Sequence, residues 1–338
     1  MANHIATITK LANEKNIDIA TLTELLEQRN DGIMSFISVK ARKAMSEAFD
    51  GKITIKGAVS ISSVCKGDCF FCGIRKSNMN CKRFTLTADE IIERVAFGYE
   101  KGIRLFELRG GENEEFSDSE LCAIVSKIKE AFPDAEIELA LGQKKYSSLL
   151  AYFRAGVKGY TLRFEASNNE TYSRLCPTNS IDQRQISIAY LKQVGFEYGT
   201  GFLVGAPFKK APELAQDILY IKESNPDVID ISPFIPHKDT PLAKFKAGSA
   251  EETLFVISLL RLLCPNAKIV ANESLDVLME KGRKMAMTAG ANVVTVSLDT
   301  ADKAECYNIY DSEIEYIEPE KVIAKTKSRI EKFGFKAN

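Results

Sequence analysis

Short apolar runs that end in polar loops recur along the chain from Ile53 onward, and an amphipathic stretch follows each one. The runs have the length and alternation of β-strands, whereas the stretches have the i, i+3, i+4 spacing of helices with one apolar face. Eight strands are predicted, at 54–63, 104–110, 135–141, 159–166, 198–205, 227–234, 267–275 and 292–298. Eight helices are predicted, at 87–102, 117–132, 145–156, 182–195, 212–224, 251–264, 280–290 and 319–334.

Repeated alternation of strand and helix predicts a parallel sheet of the α/β class, because each helix returns the chain to the same end of the sheet. Eight such units predict a complete (β/α)8 barrel of the TIM type, with an open doubly wound sheet as the alternative. The segment before Ile53 has apolar positions at helical spacing, among them Leu22 and Leu26. We therefore predict an N-terminal helical extension over residues 1–50 and a barrel domain over residues 51–338.

The overall charge gives no indication of a nucleic-acid or membrane partner, since 45 Lys and Arg residues face 46 Asp and Glu residues in 338. With 45% hydrophobic and 27% charged residues, the composition is that of an ordinary soluble globular protein. No apolar run reaches 18 residues and no signal-peptide pattern begins the chain, so we expect a cytoplasmic protein. In a reducing compartment, clustered cysteines are metal ligands or catalytic thiols more often than disulfides.

Three of the eight cysteines, Cys65, Cys69 and Cys72, lie within eight residues in the loop after the first predicted strand. Active sites of these barrels lie on the loops that follow the strands, so the motif stands where chemistry is expected. Three thiolates on one loop can hold three corners of a 4Fe-4S cluster and leave the fourth iron without a protein ligand. A zinc site with Cys81 as fourth ligand and a set of buried structural cysteines are the alternatives.

The C-x3-C-x2-C spacing, with the aromatic Phe71 before the third cysteine, resembles the radical S-adenosylmethionine (SAM) superfamily. The resemblance implies a 4Fe-4S cluster on these three cysteines, whose free iron binds SAM. It further implies reductive cleavage of SAM to a 5′-deoxyadenosyl radical, in oxygen-sensitive chemistry that needs an electron donor such as flavodoxin or ferredoxin.

Other segments resemble the SAM-binding elements of that superfamily. A Gly-Gly-Glu sequence follows the second predicted strand, and glycine permits close approach of the backbone to a ligand. Arg163 and Glu165 share one face of a strand, and the resemblance gives them catalytic roles; a self-contained salt bridge is the alternative. The SAM-binding residues implied by the resemblance are Phe71, Gly110, Gly111, Glu112, Arg163, Glu165, Arg174 and Val204.

Within the superfamily the chain is similar to the biotin synthase-like branch, and inside it to the group of the iron-iron hydrogenase maturase HydE and the lysine mutase PylB. Segments 69–78, 162–168, 199–207 and 231–243 carry this likeness. Biotin synthase itself is disfavoured, because predicted strands two to seven contain no cysteine that could hold its second cluster.

Two departures from the HydE and PylB patterns concern the predicted site. Cys176 stands where those patterns have an arginine associated with the SAM carboxylate; we expect Arg174 to substitute, or Arg163 to take a larger share. We interpret Cys176 as a surface thiol or as a catalytic radical or ligand candidate. The seventh strand has a polar end where HydE-like proteins have threonines, and we expect its Asn272, Glu273 and Asp276 to bind the substrate.

The sequence thus predicts a HydE-like radical SAM enzyme that acts on a small enclosed substrate. A PylB-like amino-acid mutase, a non-catalytic iron-sulfur carrier or scaffold, and a zinc-dependent barrel hydrolase are the alternatives.

Overall fold

Eight parallel strands close into a barrel in a computed structural model, which describes residues 2–337. The strands of the described chain are β1 (Lys52–Ser62), β2 (Leu105–Gly110), β3 (Glu136–Ala140), β4 (Gly159–Thr161), β5 (Glu197–Thr200), β6 (Leu203–Val204), β7 (Val228–Ile229), β8 (Ser232–Pro233), β9 (Lys268–Ala271), β10 (Val293–Ser297) and β11 (Lys336–Ala337). Pairing of β10 with β1, where Thr54 lies opposite Val293, closes the ring. The predicted (β/α)8 barrel is confirmed, and the closure excludes an open sheet.

Three of these strands lie outside the ring. Strands β6 and β8 pair with each other beyond the ends of β5 and β7, and β11 pairs with the start of β1. After β5 and after β7 the chain therefore continues in extended form beyond the barrel, at the end where the candidate site lies.

Helices lie between successive strands and cover the outside of the barrel. Those of residues 2–337 are α1 (Ala2–Glu14), α2 (Ile19–Glu27), α3 (Asp31–Phe49), α4 (Ala88–Glu100), α5 (Asp118–Ala131), α6 (Tyr146–Arg154), α7 (Asn169–Leu175), α8 (Ile181–Val194), α9 (Ala211–Ser224), α10 (Ala250–Leu263), α11 (Ser274–Leu278), α12 (Gly282–Thr288), α13 (Ala301–Cys306) and α14 (Pro319–Lys332). The eight predicted helices all occur. The short helices α7, α11 and α13, of five to seven residues, were not predicted.

Local sequence sets where the outer helices begin and end. Thr87 caps α4 by accepting from Glu90 N at 3.2 Å, while the Glu90 carboxylate accepts from Thr87 N at 2.7 Å. This reciprocal arrangement satisfies two backbone donors that the helix itself leaves free. Beyond α8, Gly195 adopts φ +98 and ends the helix in the left-handed conformation that glycine reaches without steric cost.

The N-terminal segment forms three helices that pack on the barrel. Helix α3 buries Ile33, Ile37, Ala41 and Met45, spaced four apart, and it contacts α10, while α2 contacts α9. Ile33, Ile37 and Met45 belong to the same apolar core as the side chains of the barrel strands. The division at residue 50 stays a prediction.

None of the helices in residues 2–337 combines the length and apolar character needed to span a lipid bilayer.

The interior of the barrel contains a cluster of charged residues, where many (β/α)8 barrels have layers of apolar side chains. Lys56 Nζ lies 2.5 Å from Glu107 Oε1 and 3.5 Å from Glu138 Oε2, and all three side chains are buried. Burial alone would lower the pKa of Lys56, but the attraction of both carboxylates outweighs it and raises that pKa. Burial also raises the pKa of Glu138. One ammonium thus compensates two carboxylates in the centre of the barrel.

Replacing Lys56 by Met should lower the free energy of unfolding by about 3–5 kcal/mol, because removing one partner leaves buried charge uncompensated. Denaturant unfolding of the purified variant measures this loss. The deficit should shrink at acidic pH, since the raised pKa of Glu138 lets this carboxyl bind a proton in the folded state at a higher pH than in the unfolded chain.

The matched control is Lys52→Met, at the exposed start of the same strand. Its stability should stay within about 0.5 kcal/mol of the unchanged protein, as is usual for surface substitutions. Equal losses in both variants would contradict the role given to Lys56.

Candidate active site

A cavity of about 730 Å³ lies at the C-terminal ends of the barrel strands. This volume is within the range of sites that enclose a drug-sized ligand. Its wall includes Cys65, Cys69 and Cys72 on one side and polar residues from most of the other strands. The predicted motif and the predicted substrate residues therefore face one enclosed space.

The guanidinium of Arg83 binds the backbone on both sides of the cysteine loop. Its Nη1 donates to Ser63 O at 2.6 Å and Ile74 O at 2.7 Å, and its Nη2 donates to Arg75 O at 2.7 Å and Asn78 O at 3.3 Å. These carbonyls lie before and after the three cysteines. A single guanidinium thus replaces the regular backbone pairing that an irregular loop lacks.

Backbone hydrogen bonds also tie the cysteine loop to other elements. Lys66 N donates to Glu112 O at 2.7 Å, and Phe70 N donates to Leu175 O at 2.8 Å at the end of α7. A Cβ atom at Gly111 would lie 2.2 Å from Val64 O and 2.7 Å from Cys65 Cβ. Glycine is therefore required where the Gly-Gly-Glu segment passes the first cysteine.

The three thiols differ in their surroundings. Burial raises the pKa of Cys65 and of Cys72. Cys176 packs beside Cys69, and the interaction of the two thiols lowers the pKa of Cys69 and, together with burial, raises that of Cys176. Cys176 is 1% exposed at the end of α7, so it is not a surface thiol.

The cysteines fit a cluster better than a single ion. Within residues 2–337, no three His, Cys, Asp or Glu side chains converge on a point from which they could bind one metal ion. A 4Fe-4S cluster takes its thiolates on separate irons, so its ligands are spread further apart. Cys81 is directed away from the other three, with its sulfur near the carbonyl of Cys306.

Glu112 presents one carboxylate oxygen to the cavity. Its Oε2 accepts from Gln143 N at 2.9 Å, and its Oε1 lies 3.7 Å from Lys66 Nζ. Gly142, with φ +72, leaves room for this carboxylate, because a Cβ there would lie 2.5 Å from Oε2. The fixed oxygen orients the group while the other oxygen remains available to a cationic ligand.

Arg163 and Glu165 form a two-pronged ion pair in the wall of the cavity. Nε lies 2.9 Å from Oε1 and Nη2 lies 3.1 Å from Oε2, while Nη1 donates to Ser232 Oγ at 3.0 Å. Glu165 adopts φ +62, a left-handed conformation that costs a non-glycine residue about 1–3 kcal/mol. The surrounding structure must hold this residue in place.

A second arginine, which the sequence reasoning missed, lies at the end of β2. Arg109 Nε donates to Ser60 Oγ at 3.2 Å, while Nη1 lies 3.6 Å from Glu273 Oε2 and Nη2 lies 3.9 Å from Asp299 Oδ2. Among the described residues, the two Nη atoms have no partner within hydrogen-bonding distance. The alternation of Glu107 and Arg109 on an otherwise apolar strand was the available signal.

The structure does not bring Arg174 to the cavity. Its side chain is half exposed, and its guanidinium lies 3.5 Å from the centre of the Phe208 ring on the outer surface. Arg184 of α8 lines the cavity instead, with Nε donating to the Tyr172 hydroxyl at 3.3 Å. Arg184 falls in the buried stripe of α8 with Ile181 and Ile188, and a charge in such a stripe was the signal that sequence reasoning overlooked.

The remaining predicted residues divide between the cavity and the core. Phe71, Asn272, Glu273 and Asp276 line the cavity, but Val204 is fully buried and its neighbour Leu203 faces the cavity. The predicted seventh strand ends at Ala271, so that Asn272 lies in a loop and Asp276 in the short helix α11. Asn272 Nδ2 donates to Asp230 Oδ1 at 3.1 Å, and Arg283 Nε donates to Asp276 Oδ2 at 2.7 Å.

Comparisons with known proteins agree on one family. The model of the radical SAM superfamily matches residues 59–221. The [FeFe] hydrogenase maturase subunit HydE of Thermotoga maritima is 30% identical over 293 residues, which cover 87% of this chain and 84% of that protein. A 3-methylornithine synthase of Methanosarcina barkeri is 28% identical over 324 residues, which cover 94% and 89%.

Among solved structures, the crystal structure of methylornithine synthase (PylB) superposes with a TM-score of 0.85 at 24% identity. The match covers 98% of this chain and 97% of that one. At this identity the likeness establishes the barrel fold and its helical lead-in.

Replacing Arg83 by Met should reduce the iron and sulfide that the protein takes up on anaerobic reconstitution, because four backbone carbonyls around the cysteine loop lose their donor. Chemical determination of iron and sulfide per chain measures the effect. Lys82→Met, at the exposed neighbouring position, is the control and should take up the same amounts as the unchanged protein. Full uptake by the Arg83 variant would show that the loop does not depend on this guanidinium.

Proposed function

This chain belongs to the radical SAM superfamily, and from that membership we propose that it is a HydE-like enzyme that acts on a small substrate enclosed in its barrel. The observation that carries the proposal is the convergence on one cavity of the three-cysteine loop, the open carboxylate oxygen of Glu112 and the Arg163–Glu165 pair.

In this proposal Cys65, Cys69 and Cys72 hold a 4Fe-4S cluster and leave one iron for SAM. When bound, the cluster and SAM together supply reductive cleavage of the SAM sulfonium, which gives a 5′-deoxyadenosyl radical. The chain supplies the surroundings, in which Cys176 packs beside Cys69.

The SAM site is proposed between the cysteine loop and strands β2 and β4. Glu112 accepts from the ammonium of SAM through its open oxygen, and the backbone of Gly110 and Gly111 lets the ligand approach closely. The Arg163–Glu165 pair bounds the SAM site on the side of β4. Phe71 and Leu203 form its apolar walls, and Val204 packs behind them in the core.

Arg184 takes the part that the sequence assigned to Arg174. It lines the cavity together with Cys69 and Cys176, and apart from its contact with Tyr172 it can donate further hydrogen bonds to a carboxylate. A carboxylate of SAM near the cluster would find its partner here.

An amino-acid mutase like 3-methylornithine synthase is the second candidate, and the Arg109 site favours it. The Nη atoms of Arg109 form ion pairs of 3.6 Å and 3.9 Å with Glu273 and Asp299 but no hydrogen bond, so they can donate to a carboxylate, and Glu273 Oε2 can accept from an ammonium. Asn272 and Asp276 extend the same polar wall. Either a free amino acid or an amino-acid derivative fits this arrangement.

An electron donor is also part of the proposal, because reductive cleavage consumes one electron per SAM. We propose a small redox protein such as flavodoxin or ferredoxin. A non-catalytic iron-sulfur carrier would need an exposed, transferable cluster, whereas these cysteines face a cavity with charged groups on its far wall.

Anaerobic reconstitution with iron and sulfide should give a brown protein with a charge-transfer band near about 400 nm, as expected of thiolate-bound clusters. With dithionite and SAM the protein should release 5′-deoxyadenosine, measured by chromatography. Cys72→Ala should abolish both signals, and Cys81→Ala, the matched control, should retain both. A colourless zinc protein, or a full cluster that never yields 5′-deoxyadenosine, would refute the proposed enzyme.

Arg184→Met should weaken SAM binding by about 10-fold to 100-fold, the equivalent of a charge-assisted hydrogen bond of about 1.5–3 kcal/mol. Arg174→Met should leave SAM affinity unchanged, since its side chain lies on the surface. Equilibrium binding to the reconstituted variants measures both. The reverse ranking would restore the assignment made from sequence.

A further inference from the structure

Lys209, which follows the β6 segment, extends into the barrel wall instead of towards solvent. Its side chain is 1% exposed, and Nζ donates to Glu165 O at 2.8 Å and to Leu203 O at 2.9 Å. One ammonium therefore joins the backbone of two neighbouring cavity segments, at the ends of the fourth and fifth barrel strands.

Asp217 of α9 provides the counter-charge. Its Oδ2 lies 2.5 Å from Lys209 Nζ, and its Oδ1 accepts from Ser167 N at 2.7 Å. The side chain of Asp217 is 2% exposed. A buried lysine would be costly without such a partner, and the pair places both of its members against the backbone around Glu165.

The backbone that this pair contacts is a strained turn. Ala166 N donates to Phe164 O at 2.8 Å, which closes a three-residue turn with Glu165 at its centre and φ +62. Turns of this kind with a positive central φ are rare for residues other than glycine. Lys209 binds the carbonyl of the strained residue, and Asp217 binds the amide two residues further on.

The chain also bends sharply to bring Lys209 there. Gly205 and Phe208 both adopt positive φ, +68 and +73, on either side of a short reversal. Arg174 stacks on the Phe208 ring from outside, at 3.5 Å, and so covers this reversal. The positive φ angles of Gly205 and Phe208 thus turn the chain so that the ammonium of Lys209 reaches Glu165.

We infer that Lys209 and Asp217 are positioning residues which hold the Glu165 turn in the conformation that presents the Arg163–Glu165 pair to SAM. Without the ammonium, the carbonyl of Glu165 lacks its partner in a buried setting, and the turn relaxes towards a negative φ. The Glu165 carboxylate then leaves the guanidinium of Arg163. The inference rests on the proposed SAM site, but the hold on the turn is a property of the chain alone.

The test uses Lys209→Met and the double variant Lys209→Met/Asp217→Asn, each as the full chain. The single variant leaves Asp217 buried and unpaired and is therefore expected to lose stability. The double variant removes both charges, and the amide oxygen of its introduced asparagine can still accept from Ser167 N, so it is expected to fold. Lys210→Met is the matched control, because Lys210 is the exposed next residue.

Two measurements separate positioning from a structural role. Amide hydrogen exchange over residues 162–168, in cluster-free protein, should increase in the double variant and stay unchanged in the Lys210 control. SAM affinity of the reconstituted double variant should fall by about 10-fold to 100-fold, the range found when groups that orient the ligands of a site are removed. Its melting temperature should fall less than that of the Lys209→Met single variant, because no charge is left buried without a partner.

A folded double variant with unchanged exchange and unchanged SAM affinity would overturn the inference and leave the pair a structural one. If the unchanged protein itself fails to bind SAM, the proposed function falls, and the exchange measurement alone decides whether the pair holds the turn: faster exchange supports it and unchanged exchange refutes it.

Discussion

The pairing of buried charges is the constraint on which the interior of this barrel and its cavity depend. An isolated charge in the interior of a protein costs several kcal/mol, so every ionic group needs a partner at close range. Lys56 pairs with Glu107 and Glu138 in the centre of the barrel, and Arg163 binds Glu165 in the cavity wall. Each of these buried ionic groups thus has a group of opposite charge within 4 Å.

The two arginines of the cavity wall differ in how many of their donors are already hydrogen-bonded. Arg163 makes three side-chain hydrogen bonds, to Glu165 and Ser232, whereas Arg109 makes one, to Ser60, and lies 3.6 Å from Glu273. Burial alone would lower the pKa of Arg109, but Glu273 and Asp299 outweigh it and raise that pKa. The guanidinium therefore stays charged and remains available to an anionic group.

The cysteine loop shows how an irregular segment can be held as firmly as a strand. It has little regular backbone pairing of its own, so Arg83 binds its carbonyls while neighbouring loops bind its amides. A reactive radical needs such an enclosed and fixed setting, because water and loose groups would intercept it. Close packing of Gly111 against Cys65 joins the loop to the next strand of the wall.

Local patterns in the amino-acid sequence were enough to predict the barrel, the family and the three-cysteine motif, because strand alternation, helix periodicity and the C-x3-C-x2-C spacing each lie within a short stretch. Short helices such as α7 were missed. Only the folded chain shows which arginine lines the cavity. Arg174 lies on the exposed side of α7, whereas Arg184 lies on the buried side of α8. The contacts of Lys209 with Glu165 and Asp217 likewise form only when β4, β6 and α9 pack together. Side-chain partners on separate elements have no local signature, and they set the geometry of this site.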